Sequence, residues 1–220
     1  MIKQKISGNF AENYIIMITT KKLNDFYLIS HRGHIGRFLK TYNLNTIICE
    51  IGVADGVNFF GLLETAQPTL IYGIDTWNRY SLPPQPAERA YQKMTQYEYD
   101  QVKQSQYNRI KQKEEISHNI KIIKDCSSNV SSKFPDSFFD YIYIDADHSY
   151  EAVKTDIESW WPKVKTNGIL AGHDYKLIND CGVKKAVDDF VVKKKIKHFS
   201  TTRERCCSWL IFKTDLDIEK

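Results

Sequence analysis

"YIYIDADHSYEAVKTDI", residues 141–157, changes character at Asp145. The aromatic and β-branched run before it reads as the end of a buried strand. Val153, Ile157 and Trp160 then recur at helical spacing, with Val164 continuing the row. A strand, an acidic junction and an amphipathic helix form one β–α unit of a parallel sheet. The junction itself crowds Asp145, Asp147 and His148 into four positions. Those residues could close the strand and cap the helix, since Asp is a favoured N-cap. They could equally be half of an active site.

The same alternation extends in both directions. "TIICEI" (46–51) is a β-branched run that ends on Glu50 and Gly52, and "DGVNFFGLLETA" then sets Phe59, Leu62, Leu63 and Ala66 on one helical face. "TLIYGID" (69–75), "NIKIIKD" (119–125) and "GILAGHD" (168–174) are further strands, each ending on an acid. Trp161-Pro162 and Asn167-Gly168 punctuate the end of the helix before the last of these. Val183, Val187 and Phe190 mark one more helix, and "KHFST" with "CSWLIFK" reads as an antiparallel pair at the sheet edge. The pattern predicts a Rossmann-like α/β fold: a mostly parallel seven-stranded sheet, helices on both faces, and an antiparallel C-terminal edge strand. Residues 1–220 are expected to form one domain, with an N-terminal helical cap over 1–40. An insertion or lid over 78–118 is stiffened by Pro83, Pro84 and Pro86, helical from Ala87 to Lys113, and rich in tyrosine.

Composition removes several classes of function. With 42% hydrophobic and 26% charged residues, the chain can bury a full core. The net charge of +4, from 31 basic and 27 acidic residues, makes no strong case for nucleic acid, which usually needs a concentrated basic face. No apolar run approaches the roughly 20 residues of a membrane span. Five cysteines at 49, 126, 181, 206 and 207 include no C-x-x-C pair, which points to reduced thiols and a cytoplasmic setting.

"CEIGVADGVN" (49–58) has the glycines of a ligand loop, but Val53, Ala54 and Asp55 after Gly52 break the G-x-G-x-x-G fingerprint of dinucleotide sites. Asp55 at the helix start would repel a pyrophosphate and suit a ligand that carries positive charge. Asp75 closes its strand where an acid can accept from both ribose hydroxyls. Glu50, Gly52, Gly56 and Asp75 together point to a nucleoside-bearing cofactor.

Read in order, "EIGVADGVN", "LIYGIDTW", "IIKDCS" and "FDYIYIDADHSYEAVKTDIESWWPKVKTNGILAGHDY" resemble the class I S-adenosylmethionine-dependent O-methyltransferases. The likeness is narrower still to the group with the macrocin and novobiocin O-methyltransferases, many of which act on sugars. It runs from about residue 30 to the C-terminus. The resemblance implies S-adenosylmethionine held by Glu50, Gly52, Gly56 and Asp75. Thr76, Cys126, Ser127 and Asp145 complete that set, and Trp77 flanks the adenine. It implies a divalent ion, magnesium or manganese, at Asp145 and Asp174, with His173 as a third ligand or orienting partner. Histidine suits a transition metal better than magnesium. Paired acids at neighbouring strand ends repel unless a cation or shared proton intervenes. Asp147 and His148 are the candidate bases, with His173 a further catalytic candidate.

The expected activity is methylation of a hydroxyl on a sugar, glycan or other small molecule, with no nucleic-acid or membrane partner and homo-oligomer formation left open. A catechol-type O-methyltransferase would also use metal-bound vicinal oxygens and would show a flat aromatic slot. A nicotinamide-dependent oxidoreductase lacks its glycine spacing here. A non-catalytic nucleoside-binding module would have no need of the carboxylates at 145 and 174.

Overall fold

The computed structural model describes residues 17, 19–78, 94–176 and 182–214. Most of the expected N-terminal cap before residue 19, the proline segment with Tyr80 and Tyr91, and Cys181 lie outside the described residues. Seven strands form one sheet in the order β3-β2-β1-β4-β5-β7-β6. They are β1 (Ile47–Ile51), β2 (Leu70–Asp75), β3 (Ile120–Lys124), β4 (Phe139–Ile144), β5 (Val164–Gly172), β6 (Phe199–Thr201) and β7 (Trp209–Phe212). The first five are parallel, and β7 runs antiparallel to both β5 and β6. The C-terminal pair does form the sheet edge, with β7 inside and β6 outermost. All six residues of β4 are buried, as a central strand covered on both faces must be.

Strand alternation divides the core into two layers. Ile48, Tyr141, Tyr143 and Ala171 face a cluster built with a helix over residues 19–27 (α1), α2 (Ile35–Thr41), α3 (Val57–Ala66) and α4 (Gln96–Ile116). Cys49, Ile142, Ile144 and Leu170 face α5 (Ser127–Ser131), α6 (Tyr150–Trp160) and α7 (Val183–Lys193). Val153, Ile157 and Trp160 form the buried stripe of α6, each contributing roughly 1.5–3 kcal/mol of hydrophobic burial. Phe26, Phe38 and Leu39 fasten the α1–α2 segment to the sheet.

Two boundaries differ from the sequence reading. In the insertion a helix starts at Gln96 behind a capping box of Thr95 and Glu98 and runs past Lys113 to Ile116, while residues 87–93 of the expected helix lie outside the described residues. Thr95 Oγ1 accepts from the Glu98 amide at 3.2 Å while the Glu98 carboxylate accepts from the Thr95 amide at 2.8 Å. Strand β5 starts at Val164, so that residue is not the last turn of the preceding helix. Trp161-Pro162 ends the helix in a single 3₁₀ turn, and Asn167, at φ +65°, marks an irregularity inside the strand.

The strand ends define the working edge. Ile51 pairs with Ile144 and Ile144 with Gly172, so Gly52, Asp145 and His173 follow at one level. Gly52 adopts φ +87°, and a Cβ there would stand 2.1 Å from the Asp145 carbonyl oxygen. Gly172 is held to the same limit, since a Cβ would stand 2.5 Å from the Ile144 carbonyl oxygen and 2.6 Å from the Trp209 ring. Gly52→Ala should therefore destabilise the protein by about 2–4 kcal/mol. Chemical denaturation of the two proteins checks this, and equal midpoints would remove the close approach as a constraint.

Candidate active site

Two features share this edge: a cavity over the β1–β2 ends and an acidic cluster over the β4–β5 ends. The cavity, of about 360 Å³, is lined by Gly52, Asp75, Thr76, Cys126, Ser127 and Asp147, together with the near face of α6. Asp75 is buried and holds two loops at once. Its Oδ2 accepts from the Ala54 amide at 2.8 Å and its Oδ1 from the Trp77 amide at 2.7 Å. Ala54 and Trp77 are both in the left-handed region, at φ +49° and +45°. Such backbone persists where surroundings over-determine it, and it concentrates at functional sites.

Three residues expected beside the cofactor lie outside the lining of this cavity. Trp77 does not line the cavity: it is buried in the core, its ring tilted 57° against that of Tyr107 of α4, with Nε1 donating to the Ala54 carbonyl. Its left-handed backbone turns the side chain under the sheet edge instead of over it. Gly56 caps α3 at φ +85° outside the cavity lining. Glu50 lies on the other face of β1, where Asn58 Nδ2 donates to its Oε1 at 3.1 Å. Its Oε2 is buried with no hydrogen-bond partner among the described residues. Burial pushes the Glu50 carboxyl well above the usual range, and Asp145 and Asp75 add to that.

In the acidic cluster, Asp145, His148 and Asp174 each offer a ligand atom, all within 4.8 Å of one another. His148 Nε2 lies 3.2 Å from Asp174 Oδ2 and 3.5 Å from Asp145 Oδ1. His148 Nε2 makes no hydrogen bond there, and the two contacts are ion pairs when the imidazole is protonated. His173 is not the third member of this group. Strand alternation carries Asp145 and His173 onto one face, but Asp174 follows in the left-handed region at φ +57° and turns its carboxylate back towards Asp145. His173 instead sets Nδ1 3.2 Å from Asp174 Oδ1. Asp147, a candidate base, is engaged at the start of α6, where its Oδ1 accepts from the Ser149 amide at 2.7 Å.

No local pattern marks Arg32, which lies in a short 3₁₀ turn (Arg32–His34) between α1 and α2. Its guanidinium donates to Asp145 Oδ2 at 3.0 Å, and its amide donates to Glu204 Oε2 at 2.8 Å. Glu204 also accepts from Ser208, whose hydroxyl meets Tyr143 OH at 3.0 Å. Burial alone would raise Asp145, but His148, His173 and Arg32 outweigh it and hold the carboxyl below the usual range. Burial disfavours the charged forms of His148 and His173, yet the facing carboxylates raise both above the ordinary imidazole value.

Matching against known families places residues 49–175 in a family described as "Methyltransferase domain". The chain belongs to that methyltransferase family. No curated protein matches the sequence closely enough to count as a relative. The fold resembles the O-methyltransferase NovP, with TM-score 0.60 at 17% identity over 83% of this chain and 79% of NovP. It also resembles SMU.1697c from Streptococcus mutans, solved in complex with SAH, with TM-score 0.55 at 14% identity over 84% of this chain and 99% of the other. An rRNA methylase from Streptococcus thermophilus gives TM-score 0.54 at 14% identity over 86% and 99%. The enzyme is thus an S-adenosylmethionine-dependent methyltransferase, on a fold that serves chemically different acceptors. No helix among the described residues is long and apolar enough to cross a membrane.

Asp156 is the other residue absent from the sequence reading. It interrupts the apolar stripe Val153, Ile157, Trp160, and that interruption was the available signal. It lines the cavity, and burial pushes its carboxyl up to about 6. A folded-state value above the unfolded one favours the protonated fold, so this contribution is present at low pH and lost as pH rises from about 4 to about 6. Relative to Asp156→Asn, the cofactor-free wild type should lose on the order of 2–3 kcal/mol over that window. Urea midpoints measured at pH 4, 5, 6 and 7 test this. Parallel curves for the two proteins would contradict it.

Proposed function

We propose that this methyltransferase transfers the methyl group of S-adenosylmethionine to a hydroxyl oxygen of a sugar or glycan, at a site that holds a divalent ion. The observation that carries the reading is the convergence of Asp145, His148 and Asp174 beside the cofactor cavity. The donor set fits an ion because His148 Nε2 is buried, faces two carboxylate oxygens and has no hydrogen-bond partner. Two oxygens and an imidazole suit manganese better than magnesium. A divalent ion at that point would lower the pKa of an acceptor hydroxyl and offset the repulsion between the carboxylates.

The chain's own groups divide the remaining work. Asp75 accepts from the ribose, and the orphaned Glu50 Oε2 takes the cofactor's ammonium group. Arg32 holds Asp145 ionised and in place. His173, oriented through Nδ1 by Asp174, receives the acceptor's hydroxyl proton at Nε2. The new O–C bond forms as the S–C bond breaks, and the sulfonium charge is discharged in the neutral thioether product. The positioning of oxygen, methyl carbon and sulfur in line is the main contribution the site can make to rate.

Methyl-transfer assays on nucleotide-sugars, free glycans and catechols test the acceptor class. Turnover of catechols alone would replace the sugar reading with the catechol-type one. Chelator should abolish turnover and manganese restore it, whereas full activity in chelator would remove the ion. Asp145→Asn should cut turnover by about 100-fold or more while SAH affinity stays within about threefold. An active variant would refute its central place.

A further inference from the structure

Charge beside the acidic cluster is sorted by depth. Asp145, Asp174 and Glu204 are buried or half-buried, and each is engaged by a basic group or an amide. The two segments that frame them, residues 29–37 and 202–208, expose His31, His34, Arg37, Arg203 and Arg205 and no acid. On α1 and α7, by contrast, exposed lysines pair with acids one turn away, as in Lys21–Asp25, Lys184–Asp188 and Lys185–Asp189. None of the five rim residues has an ion-pair partner among the described residues. Their placement follows from ties between the two segments. The Arg203 amide donates to the Ile29 carbonyl at 2.9 Å, and the Arg32 amide donates to Glu204 Oε2 at 2.8 Å. Thr202 and Ser208 also donate to Glu204, which turns it inward and leaves the arginines on either side of it exposed.

The rim is rich in donors. Arg203 lies over the Tyr27 ring at 4.6 Å, a contact that orients a guanidinium without neutralising it. The Gly33 amide donates to His31 Nδ1 at 3.1 Å, so a neutral His31 carries its hydrogen on Nε2. From the same turn Arg32 reaches Asp145 at 3.0 Å, so the rim and the cluster share one mount. Guanidinium groups without a carboxylate partner favour anions, and phosphate above all, because their planar fork matches two of its oxygens. We propose that the acceptor is a phosphorylated sugar, its phosphate held by Arg203, Arg205 and His31 while its hydroxyl lies at Asp145. This rests on the sugar-hydroxyl reading above and narrows it. The phosphate can be that of a sugar phosphate or of a nucleotide-diphosphate sugar. A rim of this extent suits one or two phosphates, whereas a long polyanion needs basic residues spread along a face.

Methyl transfer to a free hexose, its 1-phosphate and a nucleotide-diphosphate hexose, compared at equal ionic strength, tests this. The phosphorylated acceptors should show kcat/KM at least about tenfold higher, chiefly through KM. A gain with either form supports the proposal, and the better of the two tells whether one phosphate or two is read. Arg203→Ala and Arg205→Ala should each shrink the gain, and so should added salt, which screens exposed charges. Equal values for free and phosphorylated sugar would overturn the proposal. If no sugar is turned over at all, the sugar reading falls, and calorimetry with pyrophosphate decides on the rim separately. Metal-free protein with SAH bound should bind pyrophosphate, and replacing both arginines by alanine should weaken that binding at least about tenfold. No binding, or equal binding by the double variant, would remove the rim as a phosphate site. Methylation of an RNA oligomer in preference to every phosphorylated sugar would replace the small acceptor with a polyanion.

Discussion

The close passage of Gly52 beneath the Asp145 carbonyl is the constraint on which this site depends. It brings the ends of β1 and β4 nearer than any side chain would permit, with a Cβ only 2.1 Å from that oxygen. The Gly52 amide donates to Ile74 and the Asp145 amide to Ile51, so three strand ends are tied at one height. From that tie the chain can leave in two directions. One is the loop to α3, clamped by Asp75, and the other is the turn through His148 into α6. The cavity and the acidic cluster are neighbours because one glycine lets two strands finish together.

Electrostatics then assigns different work to the acids. Asp145 is kept ionised by a cation on one side and imidazoles on the other. Glu50, one strand away, has only an amide and sits in a drier place, so it rests nearer its neutral form. Asp156 lies between these extremes, desolvated but reached by a hydroxyl. These three carboxyls thus hold their protons with different strength because their partners differ, not because their chemistry does.

Much of this could be read in the residues. Alternating β-branched runs and amphipathic helices specify the parallel core, and the acids at strand ends mark its functional edge. Where the reading went astray, tertiary geometry overrode local pattern. Strand parity pairs Asp145 with His173, but a left-handed residue at 174 and a loop residue at 148 complete the cluster instead. Trp77 follows an acid and looks like an adenine wall, yet a left-handed turn sends it into the core. Arg32 has no local signature, because its role comes from a contact across 113 positions.

Arg32 and Glu204 also bear on what counts as the working unit of this enzyme. The family match spans residues 49–175 and contains every acid of the cluster, but neither of these two residues. It also stops short of β7, whose backbone bonds cover the open side of β5. A fragment cut to the matched span would expose that strand as an unpaired edge, a template for self-association. It would also leave Asp145 without its guanidinium. The segments flanking the shared module therefore complete the charge balance of the acidic cluster and the sheet edge, and modularity here ends well outside the recognisable motif.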